Sequence, residues 1–380
     1  SMLQLSAETV GGLAMLPGLF ETDALTLAAL PLRNRQAELV GVLCLVYRGI
    51  ADVADDGQFD NQLAFISALS GFAAVSLESR QLLMMQKALL DAFIKLIAGA
   101  IDSKSPYTGG HCQRVPELTK LLARAACEST AEPFRDFTLD DQQWEALDIA
   151  SWLHDCGKVT TPEYVVDKAT KLETLYDRIH EIRMRCEVLK RDAELRYWKR
   201  RAAGEDAAGL DAAMQDELKR LDDDFAFVAE CNLGGEFMAP EKVERLHRIA
   251  DYDWVRTLDD RLGVSWEERQ RMERDATSPL PVTEKLLDNK VEHLIERQAV
   301  DRLATDNPWG FRMDTPQYKY NRGELYNLEV GRGTLTEEER YKINDHIMQT
   351  IIMLEKLPYP KHLRDVPLIA GCHHETMDGK

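Results

Sequence analysis

From Phe59 to about Ile101 no proline interrupts the chain, and Leu82, Leu89, Phe93, Ile97 and Ile101 recur at intervals of three to seven residues. That is the spacing of one face of an α-helix and predicts a single long helix. Before it, LTLAALPLRNRQAELVGVLCLVY (residues 25 to 47) places two aliphatic, β-rich runs around the polar turn Arg33, Asn34, Arg35 and Gln36, a hairpin signal. Trp144, Leu147, Ser151 and His154 share one face of a helix expected over 140–158, which Asp140 or Asp141 can cap. Leu172, Leu175, Ile179, Ile182, Cys186 and Leu189 alternate spacings of three and four, as do Met214, Leu218, Leu221, Phe225 and Val228. Between these stripes lies RRAAGEDAAG, with Gly204 and Gly209, so the two helices should fold back as an antiparallel hairpin. Residues 232 to 330, broken by prolines, read as short helices and loops. A last stripe runs through Ile343, His346, Thr350 and Leu354, with Thr336 and Glu339 placed as a capping box. The fold class is therefore mainly α, with a small α/β part at the start.

At 380 residues the chain is long enough for two or three domains. A net charge of −18 argues against DNA or broad nucleic-acid binding, and an anionic substrate would depend on metals and a few local cations. No apolar run approaches the ~18 residues of a membrane span. Seven cysteines without a CxxC pair, and an opening SMLQLSAETV that lacks the layout of a secretory signal, predict a cytoplasmic protein with reduced thiols. The initial Ser-Met reads as a cloning remnant, with a parent chain extending in either direction.

Two doublets then carry the candidate chemistry: His154-Asp155 in WLHDCGK and His373-His374 in GCHHETMDGK. Neighbouring residues on a helix point about 100° apart, so a doublet can serve two ions in one cleft, with Asp155 bridging them. Lys158 falls one turn beyond His154, either as a phosphate contact or as a solvated lysine near a helix end. His247, His293 and His362 lack partners at ligand spacing and are expected to be structural or exposed. No Ser-His-Asp order and no phosphate-cradling glycine loop competes. Residue chemistry alone supports a metal-dependent phosphoester hydrolase.

The chain resembles the HD-GYP family of HD-domain phosphohydrolases. The residues that carry the resemblance are Tyr107-Thr108-Gly109-Gly110-His111-Cys112-Gln113-Arg114-Val115, then His154-Asp155-Cys156-Gly157-Lys158 with Pro162. Leu335-Thr336-Glu337-Glu338 leading to His346 follows, and then His373-His374-Glu375 with Asp378-Gly379-Lys380. The resemblance implies an all-helical domain over 106–380 with a helical insertion at about 185–330. It implies metal ligands His111, His154, Asp155, His346, His373 and His374, catalytic roles for Asp155 and Lys158, and substrate contact by Lys158. Arg114 would either brace its helix or contact phosphate, and Glu375 would orient a ligand imidazole. His180, in YDRIHEIR, competes with His346 as the middle ligand, and helical phase favours His346. Tyr107 stands where the family often has a glutamate tied to a third ion, so two ions are expected, iron or manganese by resemblance, with zinc also suited to the donors.

The implied substrate is cyclic di-GMP, opened to pGpG and cut further to GMP. The alternatives are an HD hydrolase for another nucleotide, or a weakly active relative that signals through protein partners. Because the sequence ends at Lys380, before the family's Gly-Tyr-Pro and a final aspartate, the 380-residue chain is expected to have little or no activity. Residues 1–80, with LVGVLCLVY followed by FISALSGFAAVSLESRQLL, look like the C-terminal half of a GAF sensory domain, for which no ligand is assigned. Residues 81–105 would be a connecting helix, either pairing in parallel with a second copy or packed into an ordinary core.

Overall fold

The computed structural model describes residues 2–6, 24–48, 57–104, 110–302 and 306–376, so motif residues 107–109 and 378–380 lie outside it. The chain forms two compact units that divide between Phe93 and Ile94.

In the first unit, β1 (Met2–Ser6), β2 (Ala24–Arg33) and β3 (Leu39–Arg48) make an antiparallel sheet in that order. β2 and β3 are the expected hairpin, with Leu30 opposite Leu43. Its turn is closed by the Asn34 side chain, which accepts the amides of Gln36 (3.0 Å) and Glu38 (2.8 Å). Helix α1 (Gly57–Asp102) runs for 46 residues without a break at 80/81, where the sequence reading separated sensor from connector. No helix among the described residues is long and apolar enough to cross a membrane.

The second unit is built on two cores. One joins Ile94, Ala98 and Ile101 of α1 to Cys112 of α2 (His111–Glu128) and to Ile149, Ala150 and Leu153 of α3 (Asp141–Leu153). Asp140 caps α3 in a capping box with Gln143. The α-helix ends at Leu153 rather than continuing to 158, and residues 156–160 form a separate 3-10 turn. After the short helix α4 (Glu163–Val166), α5 (Ile179–Ala202) and α6 (Ala207–Asn232) form the predicted hairpin, with Gly204 at φ 87° in the loop. Leu172 and Leu175 precede α5, so their helical spacing is coincidental; Leu172 is buried and Leu175 is 88% exposed. A boundary at 185 would fall inside α5.

The hairpin shares the second core with α7 (Pro240–Ala250) and with Leu286, Leu287 and Leu328. Two small antiparallel sheets occur where only short helices and loops were expected. They are β4 (Asp253–Arg256) with β5 (Val282–Lys285), and β6 (Leu294–Glu296) with β7 (Tyr318–Asn321). Their strands have three or four residues each, too few to show a period in sequence.

Helix α10 (Glu337–Glu355) begins with the predicted capping box between Thr336 and Glu339; α8 (Trp266–Met272) and α9 (Glu324–Leu328) precede it and α11 (Val366–Gly371) follows. Glu339 also meets the buried ammonium of Lys168 at 2.8 and 2.9 Å, and Asn327 Oδ1 accepts from the same ammonium at 3.1 Å. Burial pulls the Lys168 pKa down, and Glu339 opposes that shift. This ion pair fastens the segment after the first doublet to the start of α10.

His293 is a histidine held neutral in this second unit. Its Nδ1 accepts the Lys290 amide at 3.1 Å. Burial pushes its pKa from 6.5 to about 4; Arg178, Lys290 and Arg185 add to the shift and Glu324 opposes it. Because the folded pKa is depressed, the unfolded chain takes up the proton first. The contribution of His293 to stability is present above pH 6.5 and is lost as pH falls through about 4. Within that window the stability slope of the wild type should exceed that of His293→Gln by up to about 1.4 kcal/mol per pH unit, read from urea unfolding. Parallel slopes would refute the assignment.

Candidate metal centre

The first doublet sits where α3 stops. Asp155 adopts φ −101° and ψ 9°, a sparsely populated region, and the chain then tightens into the 3-10 turn. Contact with α10 accounts for the break. The Gly157 amide donates to Thr350 Oγ1 at 2.9 Å, and the Thr350 hydroxyl donates to the His154 carbonyl at 3.0 Å. A Cβ on Gly157 would lie 2.0 Å from the His346 carbonyl oxygen, so only glycine allows α10 to approach this closely.

Two groups of donors result: His111, His154 and Asp155, and His346, His373 and His374, each with ligand atoms within 4.8 Å of one another. One carboxylate joins them. Asp155 Oδ2 lies 3.2 Å from His111 Nε2 and 3.0 Å from His154 Nε2. Its Oδ1 lies 3.4 Å from His346 Nε2 and 3.6 Å from His373 Nε2. Burial works against the charge on Asp155, but His154, His346 and Lys158 outweigh it and hold the carboxyl far below the usual carboxylate range.

The imidazoles are oriented by one repeated device. Nδ1–H of His154 donates to Ser151 O at 2.8 Å, that of His373 to Ala370 O at 2.6 Å, and that of His346 to Ile343 O. Each acceptor is the carbonyl three residues earlier, and each bond leaves the Nε2 lone pair pointing into the site. Yet Nε2 of His346 and Nε2 of His373 are 3.3 Å apart, as are those of His111 and His154. Two facing lone pairs repel unless a cation or proton lies between them. Burial depresses the pKa of His373 to about 4 and lowers that of His374, which disfavours the proton at neutral pH. The donor set therefore fits divalent metal ions.

Residues 281–380 match the HD domain family. The HD domain match contains His346, His373 and His374, whereas His111, His154 and Asp155 lie upstream of it. A 113-residue stretch is 33% identical to 3'3'-cGAMP-specific phosphodiesterase 3 of Vibrio cholerae serotype O1, and covers 28% of this chain and 22% of that protein. A 77-residue stretch is 34% identical to 3'3'-cGAMP-specific phosphodiesterase 1 of the same organism, and covers 20% of this chain and 15% of that protein. The chain thus spans less than a quarter of the length of either relative. No solved structure matches the chain.

Around the two donor groups, the other sequence candidates take distinct places. Lys158 Nζ is 2.7 Å from Asp155 Oδ2 and its side chain is partly open to solvent. Arg114 is exposed on the first turn of α2, its guanidinium 4.0 Å from where a Gly110 Cβ would be. His180 is exposed and pairs with Arg183, away from both clusters. The Glu375 amide donates to the Cys372 carbonyl at 3.0 Å, and Glu375 is exposed. His247 pairs with Glu329 at 2.7 Å and His362 lies 3.8 Å from Glu145. The motif reading passes over Asp102 and Lys104, which reach toward both halves of the first cluster; the only local signal is a D-x-K at the end of the apolar helical stripe.

Proposed function

We propose that the protein is a metal-dependent phosphodiesterase of cyclic dinucleotides, with cyclic di-GMP as the substrate the motifs favour. The single observation behind this reading is the Asp155 carboxylate, which faces a histidine pair with each oxygen. A pair of divalent ions, when bound, lowers the pKa of a water and neutralises charge on phosphate oxygens. Asp155 and the two histidine sets would hold that pair, with iron or manganese the preferred occupants. The Nδ1 bonds fix the imidazole planes in advance, so no reorientation accompanies binding. Lys158 lies beside Asp155 with part of its surface open, where an ammonium can meet a phosphate oxygen. Arg114 adds a second cation at the exposed end of α2. Residues upstream of the matched segment supply the first cluster, as expected if an insertion splits a domain that is continuous in simpler relatives.

The test is hydrolysis of cyclic di-GMP and 3',3'-cGAMP by the full-length protein, with the 380-residue chain expected to be weak beside it, using Mn2+ or Fe2+ and following linear dinucleotide by chromatography. Linear product that disappears with a chelator supports the proposal. An inactive protein with two ions bound would move the weight to signalling through partners, and cleavage of cGAMP alone would replace the substrate.

The long helix supports a partner as well. Phe65, Phe72 and Phe93 repeat with Val75, Leu82, Leu89 and Leu96 in the a and d positions of a heptad pattern, and all seven are exposed by 38 to 78%. A second copy aligned in parallel along α1 would cover this seam. Leu82→Glu with Leu89→Glu should convert a dimer to a monomer by light scattering; an unchanged mass would remove the seam from the interface.

A further inference from the structure

We infer that Asp102 and Lys104 are positioning residues that set the first metal cluster from the end of α1. The inference rests on the metal-centre reading above. Asp102 lies in the last turn of α1 and is buried. Its carboxylate accepts the Cys112 amide through both oxygens, at 3.1 and 3.2 Å. That amide belongs to the first turn of α2, where backbone N–H groups lack helical partners and a carboxylate is favoured. Cys112 follows His111 directly, so the bond fixes the start of the helix that carries His111.

Lys104 acts on the other half. Its ammonium donates to the carbonyls of Lys158 (3.2 Å), Val159 (2.9 Å) and Thr161. Three donors meet three carbonyls at the open end of the 3-10 turn that follows Asp155, where the carbonyl end of the turn attracts a cation; the Lys158 carbonyl also accepts the Thr161 amide at 3.0 Å. Two residues apart, Asp102 and Lys104 thus hold the two segments whose side chains approach at His111 Nε2 and Asp155 Oδ2, 3.2 Å apart. A change in the last turn of α1 would alter that separation and leave His346, His373 and His374, which belong to α10 and its successor segment, in place.

The experiment is Zn2+ titration of the whole chain against a chromophoric chelator, with hydrogen exchange of the metal-free protein in parallel. Wild type should bind two ions. Lys104→Met should weaken one ion about tenfold or more and leave the other unchanged, and Lys104→Arg should restore much of the loss. Asp102→Asn should weaken the same ion and speed exchange at the Cys112 amide; it carries the test if Lys104→Met does not fold. Combining each variant with His374→Ala assigns the affected cluster. Wild-type affinities in Lys104→Met and Asp102→Asn, or equal weakening of both ions, would overturn the inference. A wild-type chain that binds no Zn2+ would overturn the metal-centre reading beneath it.

Discussion

Asp155→Ala is expected to leave the protein unable to hold two ions, with metal stoichiometry falling from two toward zero and hydrolysis falling with it. The reason is that no other described carboxylate faces both clusters. Asp155 Oδ2 approaches His111 and His154 while Oδ1 approaches His346 and His373, so under the proposed two-ion reading a single substitution would remove a donor from each ion. It would also remove the negative charge that would offset two cations there. Losing an outer partner of a ligand costs about 10- to 100-fold in metal affinity, so losing the shared ligand should exceed about 100-fold for both ions. Asp155→Asn keeps the volume and one carbonyl oxygen but not the charge, and should behave nearly as badly. Elemental analysis of protein purified without chelator, with His180→Ala and His346→Ala alongside, decides the matter. Two ions retained in Asp155→Ala would refute the bridging role. Loss in His180→Ala without loss in His346→Ala would show that the middle ligand has been misassigned.

Gly157→Ala should be the most disruptive conservative change in the centre, although it touches no candidate metal ligand side chain. The added carbon would lie 2.0 Å from the His346 carbonyl oxygen, 2.6 Å from the Thr350 amide and 2.7 Å from the Thr350 hydroxyl. Two of these are backbone atoms in the middle of α10 and cannot swing aside as a flexible side chain would. Either α10 moves away, or the turn after Asp155 does. Both break the bonds that Thr350 makes to Gly157 and His154 and separate His346 from Asp155. Overpacking of this kind typically costs about 1–3 kcal/mol, and the lost buried hydrogen bonds add about 1 kcal/mol or more. Denaturant unfolding should therefore show a loss of about 3 kcal/mol, and Zn2+ titration a weakened second cluster. Thr350→Ser, which retains the hydroxyl, should be mild in both. A Gly157→Ala protein of native stability with two tightly bound ions would show that the close approach is dispensable.

Local pattern made much of this molecule legible. The uninterrupted stripe that reaches Ile101 forms one helix, the polar turn after Arg33 joins two strands, and the Thr336–Glu339 pair caps α10, because each depends on residues a few positions apart. The doublets could be recognised for the same reason: adjacent ligand types stand out from the sequence around them. The hairpin loop near Gly204 was readable too; the structure closes it over residues 203–206, with Gly209 already in the first turn of α6.

Tertiary contacts decided the rest. Periodicity placed His154 inside a continuous helix over 140–158, but the chain leaves the α-helix at Leu153 so that Gly157 can reach a helix 193 residues later in sequence. Leu172 and Leu175 kept helical spacing without being helical, and the short strands β4 to β7 carried no period at all. Among the described residues the Lys104 ammonium meets three carbonyls that lie 54 to 57 residues away. Sequence by itself determined most of the helical elements and a candidate set of donor residues, because backbone periodicity and side-chain chemistry are local properties. Which donors meet, and that Asp155 stands between two histidine pairs, was decided only by packing across distant segments, whose closure leaves no signal at either end of the loop.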